Sequence, residues 1–442
     1  MKVLLPLVLL GLSSCTGVVS RSPSGGTGAH RSHLEGADIE KIEGVAPSIS
    51  EPSGAISLVQ AENLALGRSP SLRVADADLR KAEAEMLSAV ARPNPSMDAE
   101  VENFLGGGEF RGIRGAEETL ALTHTIERGG KRELRQETAT AGIAKAQSSQ
   151  ELVTASLRRD VAFSFHQLLA AQQHSELARD QLAAAEEFAA AQAERFNIGA
   201  IPQADRDASQ VAVSLATVEL ADAENVVDVA RIALASTWGS AEPRFSRAVG
   251  SLPPTSPPPP LGSLRARLDG SLLARHLGSG IRLAEAEAAL AHANAKPDWE
   301  VTGGVRHFEG EDSFAGVLGM SIPIPVFDTN KGGIASAEAG RQSAAAQHDA
   351  GLTALEARLA QEHAAAERGH LRAASLKKAL GQAEANLALV SDGYANGLYP
   401  YAALNDSRSA VWDIRSQMVS ATIDHHLALV EIDHLISSHA KK

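Results

Sequence analysis

The chemistry open to this chain is electrostatic, and it rests on carboxylates at two kinds of place. Glu100 and Glu102 recur at every second position of one segment, and Glu300 and Arg306 do so in another. An extended chain puts such positions on one face. Asp205, Asp207 and Asp406, with Arg206 and Arg408, follow closely on Gly199 and Gly397. In a symmetric assembly an inward carboxylate becomes a ring, which favours cations and can close through pairs with arginine. The fifteen histidines make no metal centre. His425 and His426 are adjacent and point about 100° apart on a helix, so they form no clamp of the i, i+4 kind. His434 and His439 stand nearby, and His363 and His370, seven apart, share a face that no carboxylate pattern completes. No phosphate loop and no Cys/His pair occurs, so neither a metal site nor an enzyme is expected. Cys15 is the one cysteine, which rules out an intrachain disulfide.

The elements that must position these residues come in two copies. Arg92-Pro-Asn-Pro opens a strand-like run at 96–105, and Lys296-Pro-Asp opens another at 299–308. A second run, 119–126, leads to Gly129-Gly-Lys131 and a long helical stretch, as 314–326 leads to Lys331-Gly-Gly333 and another. Phe196-Asn-Ile-Gly199 and Tyr394-Ala-Asn-Gly397 interrupt the two stretches. Arg92 and Lys296 lie 204 apart, Lys131 and Lys331 200, Phe196 and Tyr394 198. One unit is therefore duplicated, too long for a solenoid repeat.

Met97, Ala99, Val101 and Leu105 alternate with Asp98, Glu100 and Glu102, the period of a strand with one apolar and one acidic face. Leu120, Leu122 and Ile126 alternate with threonines. In the second copy Trp299, Val301, Val305 and His307 alternate with Glu300, Thr302 and Arg306, and Pro323 and Pro325 mark the exit into the helix. Long helices are expected at 131–197, 202–238, 331–395 and 400–438, shorter ones at 56–66, 71–91, 264–276 and 281–295. Ile198-Gly199-Ala200 and Asn396-Gly397-Leu398 are the hairpin tips, where glycine permits the left-handed turn. The boundaries read as 1–14, 15–54, 55–250 for the first copy, 251–262 as a stiff proline linker, and 263–442 for the second copy.

Apolar residues make up 44% of the chain but aromatics only 4%, a composition for close helix packing rather than a wide aromatic core. A net charge of −13 with no basic stripe argues against nucleic acid. Lys2 and the apolar run 3–12 read as an export signal, too short to span a bilayer. Leu12-Ser-Ser-Cys15 resembles a bacterial lipobox, so residues 1–14 are expected to be removed and Cys15 to carry lipid, with 15–54 as a tether. Thr16 after the cysteine implies outer-membrane delivery. No cofactor is expected beyond that lipid.

Four amphipathic strands cannot close a membrane barrel, since single-chain barrels begin at eight, and an open edge in lipid leaves backbone groups unpaired. Several chains must pool their strands, or the strands stay out of the membrane.

From 56 to 437 the chain resembles the TolC-like outer-membrane factors. The resemblance is carried by Pro93-Asn94-Pro95, Ile126-Glu-Arg-Gly-Gly-Lys-Arg132, Gly319-Met-Ser-Ile-Pro-Ile-Pro-Val-Phe327 with Asn330-Lys-Gly-Gly333, and the paired tip turns. The Gly-Gly-Lys-Arg and Ser-Ile-Pro-Ile-Pro-Val-Phe forms are most similar to the heavy-metal efflux branch. The resemblance implies an α+β membrane protein and a homotrimer. Its β-barrel, four strands per chain, would lie in the outer membrane of a Gram-negative bacterium and continue as a long periplasmic α-helical barrel. It implies a passive duct without catalysis, working with a periplasmic adaptor at the tips and an inner-membrane RND pump, with heavy-metal cations among the substrates. It implies a gate aspartate at Asp406, while Ala403 holds the position of the other. Glu100, Glu102, Glu300 and Arg306 become expected lumen residues. The alternative is a periplasmic adaptor or scaffold lipoprotein with coiled-coil hairpins, which should carry one hairpin rather than two.

Overall fold

The computed structural model describes residues 50–438. The apolar run before Cys15, Cys15 itself, most of the tether and His439 lie outside the described residues.

β1 (Ala55–Ile56) leads into α1 (Leu58–Arg68) and α2 (Pro70–Val90). β2 (Ser96–Glu102) and β3 (Glu117–Ile126) form a hairpin, and α3 (Lys131–Asn197) and α4 (Gln203–Ser236) a far longer one. β4 (Arg247–Ala248) returns to pair in parallel with β1. The order then repeats: α5 (Leu261–Leu268), α6 (Leu272–Asn294), β5 (Trp299–Phe308), β6 (Ser313–Ser321), α7 (Lys331–Ala395) and α8 (Tyr401–Leu435). The 67 residues of α3 reach about 100 Å at ~1.5 Å per residue.

α3, α7 and β5 have the bounds expected from sequence; other ends differ for local reasons. β2 stops at Glu102 because Asn103 and Leu105 turn to φ 56° and 57°, outside the strand region. β6 stops at Ser321, before Pro323 and Pro325, which have no donor for a ladder. A break was expected between 276 and 281, but α6 runs unbroken through Gly278 and Gly280. Ser271 caps it, accepting from the Ala274 N–H at 3.2 Å, so the break falls at Asp269-Gly270. Two interior glycines cost about 1 kcal/mol each, which burial of Leu272, Ala284, Ala288 and Ala293 offsets. α5 begins at Leu261, so the last two residues of the expected linker are helical.

Each copy builds its own small core. Ile56, Leu64, Val161, Leu168, Leu234, Trp238 and Phe245 bury one; Leu264, Leu268, Leu359, Ile432 and Ile436 bury the other. Between them the helices pack through alanine. α3 lies against α2, α4, α6 and α8, and α7 lies against α6 and α8. The four long strands run antiparallel in the order β2-β3-β5-β6, so β2 and β6 are open edges.

Candidate functional site

Register decides which residues of the sheet share a face, because residues directly opposite in an antiparallel ladder point the same way. Met97 stands opposite Leu122, Ala99 opposite Leu120, Leu120 opposite Val305, Val301 opposite Met320, and His307 opposite Phe314. That face is apolar from edge to edge and uncovered: Leu122 is 58% exposed, Phe314 74%, Leu318 89%. Its polar members are at the ends, where Glu118 faces His307 beside one loop and His124 lies next to Ile126 and Trp299. The other face carries Asp98, Glu100, Glu102, Glu117, Thr119, Thr123, Glu300, Thr302 and Arg306. Water wets a polar face freely; an apolar face of this extent is stable only against apolar surroundings. β3 and β5 have ten residues and β6 nine, the ~9–11 of a membrane-spanning strand.

On the polar face Arg306 ties three strands together. Its Nη1 lies 2.8 Å from Glu117 Oε2 and its Nη2 3.1 Å from Glu102 Oε2. Its Nε donates to Thr119 Oγ1 at 2.8 Å. Thr123 donates to Asp98 at 2.9 Å and shares a bond of the same length with Thr302. Of the four expected lumen residues, Glu102 and Arg306 are thus brought together. Glu100 and Glu300 make no ion pair among the described residues.

The two tips are built alike. Gly199 and Gly397 have φ of 71° and 74°, the left-handed region that glycine enters without strain. The Ala200 N–H donates back to Arg195 O at 2.9 Å, and the Leu398 N–H to Gly393 O at 2.7 Å. Each closes a Schellman turn that satisfies the last carbonyls of its helix. Pro202 and Pro400 then start α4 and α8. Ile198 and Leu398, each 76% exposed, are the apolar points of the tips; Asn396, also exposed, reaches back along its own helix, donating from Nδ2 to Asp392 O. The charged residues behind the tips do not form one cluster. Asp207 is held by its neighbour Arg206 at 2.6 Å, which keeps its carboxyl below the usual range. Asp406 is exposed. Arg408 lies 4.3 Å over the Phe188 ring, half-buried, with its pKa lowered by burial. Asp205 is half-exposed on the first turn of α4.

Sequence reasoning missed the residues that join sheet to helices. Lys131 Nζ lies 2.8 Å from Asp298 Oδ2, and Asp298 Oδ1 accepts from the Arg128 N–H at 2.8 Å. Arg135 pairs with Glu127 and donates to Ala91 O, while Arg132 donates to Val90 O, capping α2. The signal was present in Gly-Gly-Lys-Arg, but its acceptors lie 42 to 167 residues away. Three histidines pin the proline linker to α7 and α8: His426 Nε2 to Pro253 O at 2.7 Å, His363 Nε2 to Pro259 O at 3.0 Å, and His370 Nδ1 to Thr255 Oγ1 at 3.1 Å. His425 bonds Ala366 O instead. Among the described residues no group of three His, Cys, Asp or Glu can hold a metal ion, and no helix is long and apolar enough to cross a membrane.

Comparison with known proteins agrees with this geometry. Residues 62–240, from α1 through the first long hairpin, match the family described as outer membrane efflux protein. The chain is 27% identical over 389 residues to the cobalt-zinc-cadmium resistance protein CzcC of Cupriavidus metallidurans, covering 87% of this chain and 91% of that one. It is 28% identical over 306 residues to the nickel and cobalt resistance protein CnrC of the same species, 68% of this chain and 70% of that one. The solved structure of CusC superimposes with a TM-score of 0.73 at 15% identity, over 86% of this chain and 92% of that one. VceC of Vibrio cholerae gives 0.72 at 18%, over 87% and 97%. Residues 62–240 are thus similar to the outer membrane efflux protein family, the fold is shared with solved outer-membrane channels, and metal-resistance proteins are among the chain's relatives.

Proposed function

We propose that three copies of this chain form a passive export duct in the outer membrane of a Gram-negative bacterium. The observation that carries the proposal is the two-faced sheet with two open edges. An unpaired edge in lipid costs several kcal/mol per backbone group. The four strands alternate in direction, so β6 of one chain and β2 of the next would continue the alternation, and three chains would close twelve strands into a barrel. Its apolar face would meet lipid and its polar face would line water. The long hairpins would continue the barrel through the periplasm. An acylated Cys15 would add an anchor at ~0.8 kcal/mol per buried CH₂.

Transport would need no catalysis. The inner-membrane RND pump would supply energy, and a periplasmic adaptor would meet the tips at Ile198–Ala200 and Asn396–Leu398. The resemblance to CzcC and CnrC supports heavy-metal cations as substrates. Unpaired Glu100 and Glu300 would then give the lumen a cation preference. The test is cysteine scanning of β5 in membranes. Positions 300, 302 and 306 should react with a water-soluble thiol reagent, and 301 and 305 should be quenched by nitroxide lipids. Uniform reactivity along β5 would end the proposal.

A further inference from the structure

The two places where the sheet hands over to a long helix differ in length and chemistry. Lys131 and Lys331, 200 apart, each begin the helix. The preceding strands end at Ile126 and Ser321, so residues 127–130 make one junction and 322–330 the other. The longer one is Ile322-Pro-Ile-Pro-Val-Phe327 followed by Asp-Thr-Asn.

The short junction is closed within the chain. Lys131 and the Arg128 N–H both hold Asp298. The Arg128 guanidinium lies 4.2 Å over the Trp299 ring. Gly129 packs so near Lys296 that a Cβ there would come within 2.6 Å of its Cδ. In short, the junction after β3 sits on residues 296–299, which lead into the neighbouring strand β5.

The long junction is held only at its end, where Asn330 Nδ2 donates to Ala291 O at 2.7 Å, and residues 322–327 have no such seat. Ile324 is 81% exposed, Val326 68% and Phe327 fully exposed. A cavity of about 390 Å³ stands open between this segment and Asn294, Ala295 and Pro297. Lys331 is exposed and makes no ion pair among the described residues. The strand before this junction, β6, has an open edge.

The duplication says what is missing. Residues 296–298 correspond to 92–94 of the first copy, where Asn94 stands in place of Asp298. Residues 92–94 lead into β2, the other open edge. They are largely exposed, as are Leu87 at 71% and Val90 at 38% at the end of α2. Resting on the trimeric reading above, we infer that residues 322–327 clasp a second copy of this chain, seated on its residues 92–95 and the end of its α2. Lys331 meets Asn94 of that copy as Lys131 meets Asp298 within the chain. An asparagine offers no charge to the lysine. The extra apolar residues therefore supply by burial what the ion pair supplies in the first junction.

The test uses the full-length chain in detergent, with wild-type native mass measured in parallel. Asn94→Cys and Lys331→Cys together, treated with a short bis-maleimide, should give covalent dimers and closed trimers on a denaturing gel. Each single variant should give none. Asn94→Asp should raise the temperature at which trimers dissociate, and Phe327→Ser with Ile324→Ser should lower it. A double-cysteine variant that stays monomeric on the gel while its native mass is trimeric overturns the clasp and leaves the duct standing. A wild-type chain that is monomeric by native mass overturns both. A bimane label at Phe327→Cys that nitroxide lipid quenches shows that the segment faces lipid, and also overturns the clasp.

Discussion

The tips of the two copies are nearly superimposable in chemistry, while their sheet-to-helix junctions are not. Both tips use a left-handed glycine, a back-bonded Schellman turn and a proline start to the return helix. The first junction uses Asp298, Lys131, Glu127 and Arg135, whereas the second uses exposed Ile324, Val326 and Phe327. Duplication has kept the two copies alike where both reverse a helix into water. It has let them diverge where one copy meets its own chain and the other leads from an open edge.

If the copies are equivalent at the sheet, damage to either apolar face should cost the same. Leu122→Lys and Leu318→Lys should each destabilise the membrane-assembled form by about 2–4 kcal/mol per chain. Thr302→Lys on the polar face should cost far less. Dissociation temperatures in detergent check this, and unequal losses at 122 and 318 would break the equivalence. The junctions should respond unequally. Asp298→Ala strips Lys131 and the Arg128 N–H of their acceptor and should cost about 2 kcal/mol of chain stability, whereas Lys331→Ala should leave the stability of a single chain unchanged. Denaturant unfolding separates the two. At the tips, Gly199→Ala and Gly397→Ala should each cost about 1 kcal/mol, because an added Cβ meets nothing and only the positive φ is strained.

Acid should sharpen the contrast further, by the smallest effect. The Arg135 hydrogen bond holds the Glu127 carboxyl below its usual 4.5. The folded first junction therefore binds its proton less readily than the unfolded chain does. Its contribution is full above about pH 4.5 and fades as pH falls through the lowered value. As pH is lowered below 4.5, hydrogen exchange at residues 127–135 should rise before that at 322–334.

Much of this was legible in the sequence because it depends on local periodicity. The alternation Met97/Asp98/Ala99/Glu100 defines two faces without knowledge of partners. The Gly199 and Gly397 turns declare themselves by residue type. Arg306 could be placed on the polar face, but not its bonds to Glu102 and Glu117, since register brings together residues 204 and 189 apart. Asp298 was read as a strand opener and proved to be the seat of the first junction. His426, His370 and His363, weighed as metal ligands, hold the linker instead, because backbone acceptors carry no sequence signature. The break misread at Gly278 shows a glycine overruled by packing, with Ser271 the stronger signal.

The central claim, that open-edged sheets close only between chains, is tested most directly on the mature protein extracted from outer membranes in detergent. Its native mass and single-channel conductance in planar bilayers should be measured on one preparation. The account predicts a trimer that opens conducting pores. A water-soluble monomer without conductance would contradict it, since the apolar face of the sheet would then never meet lipid.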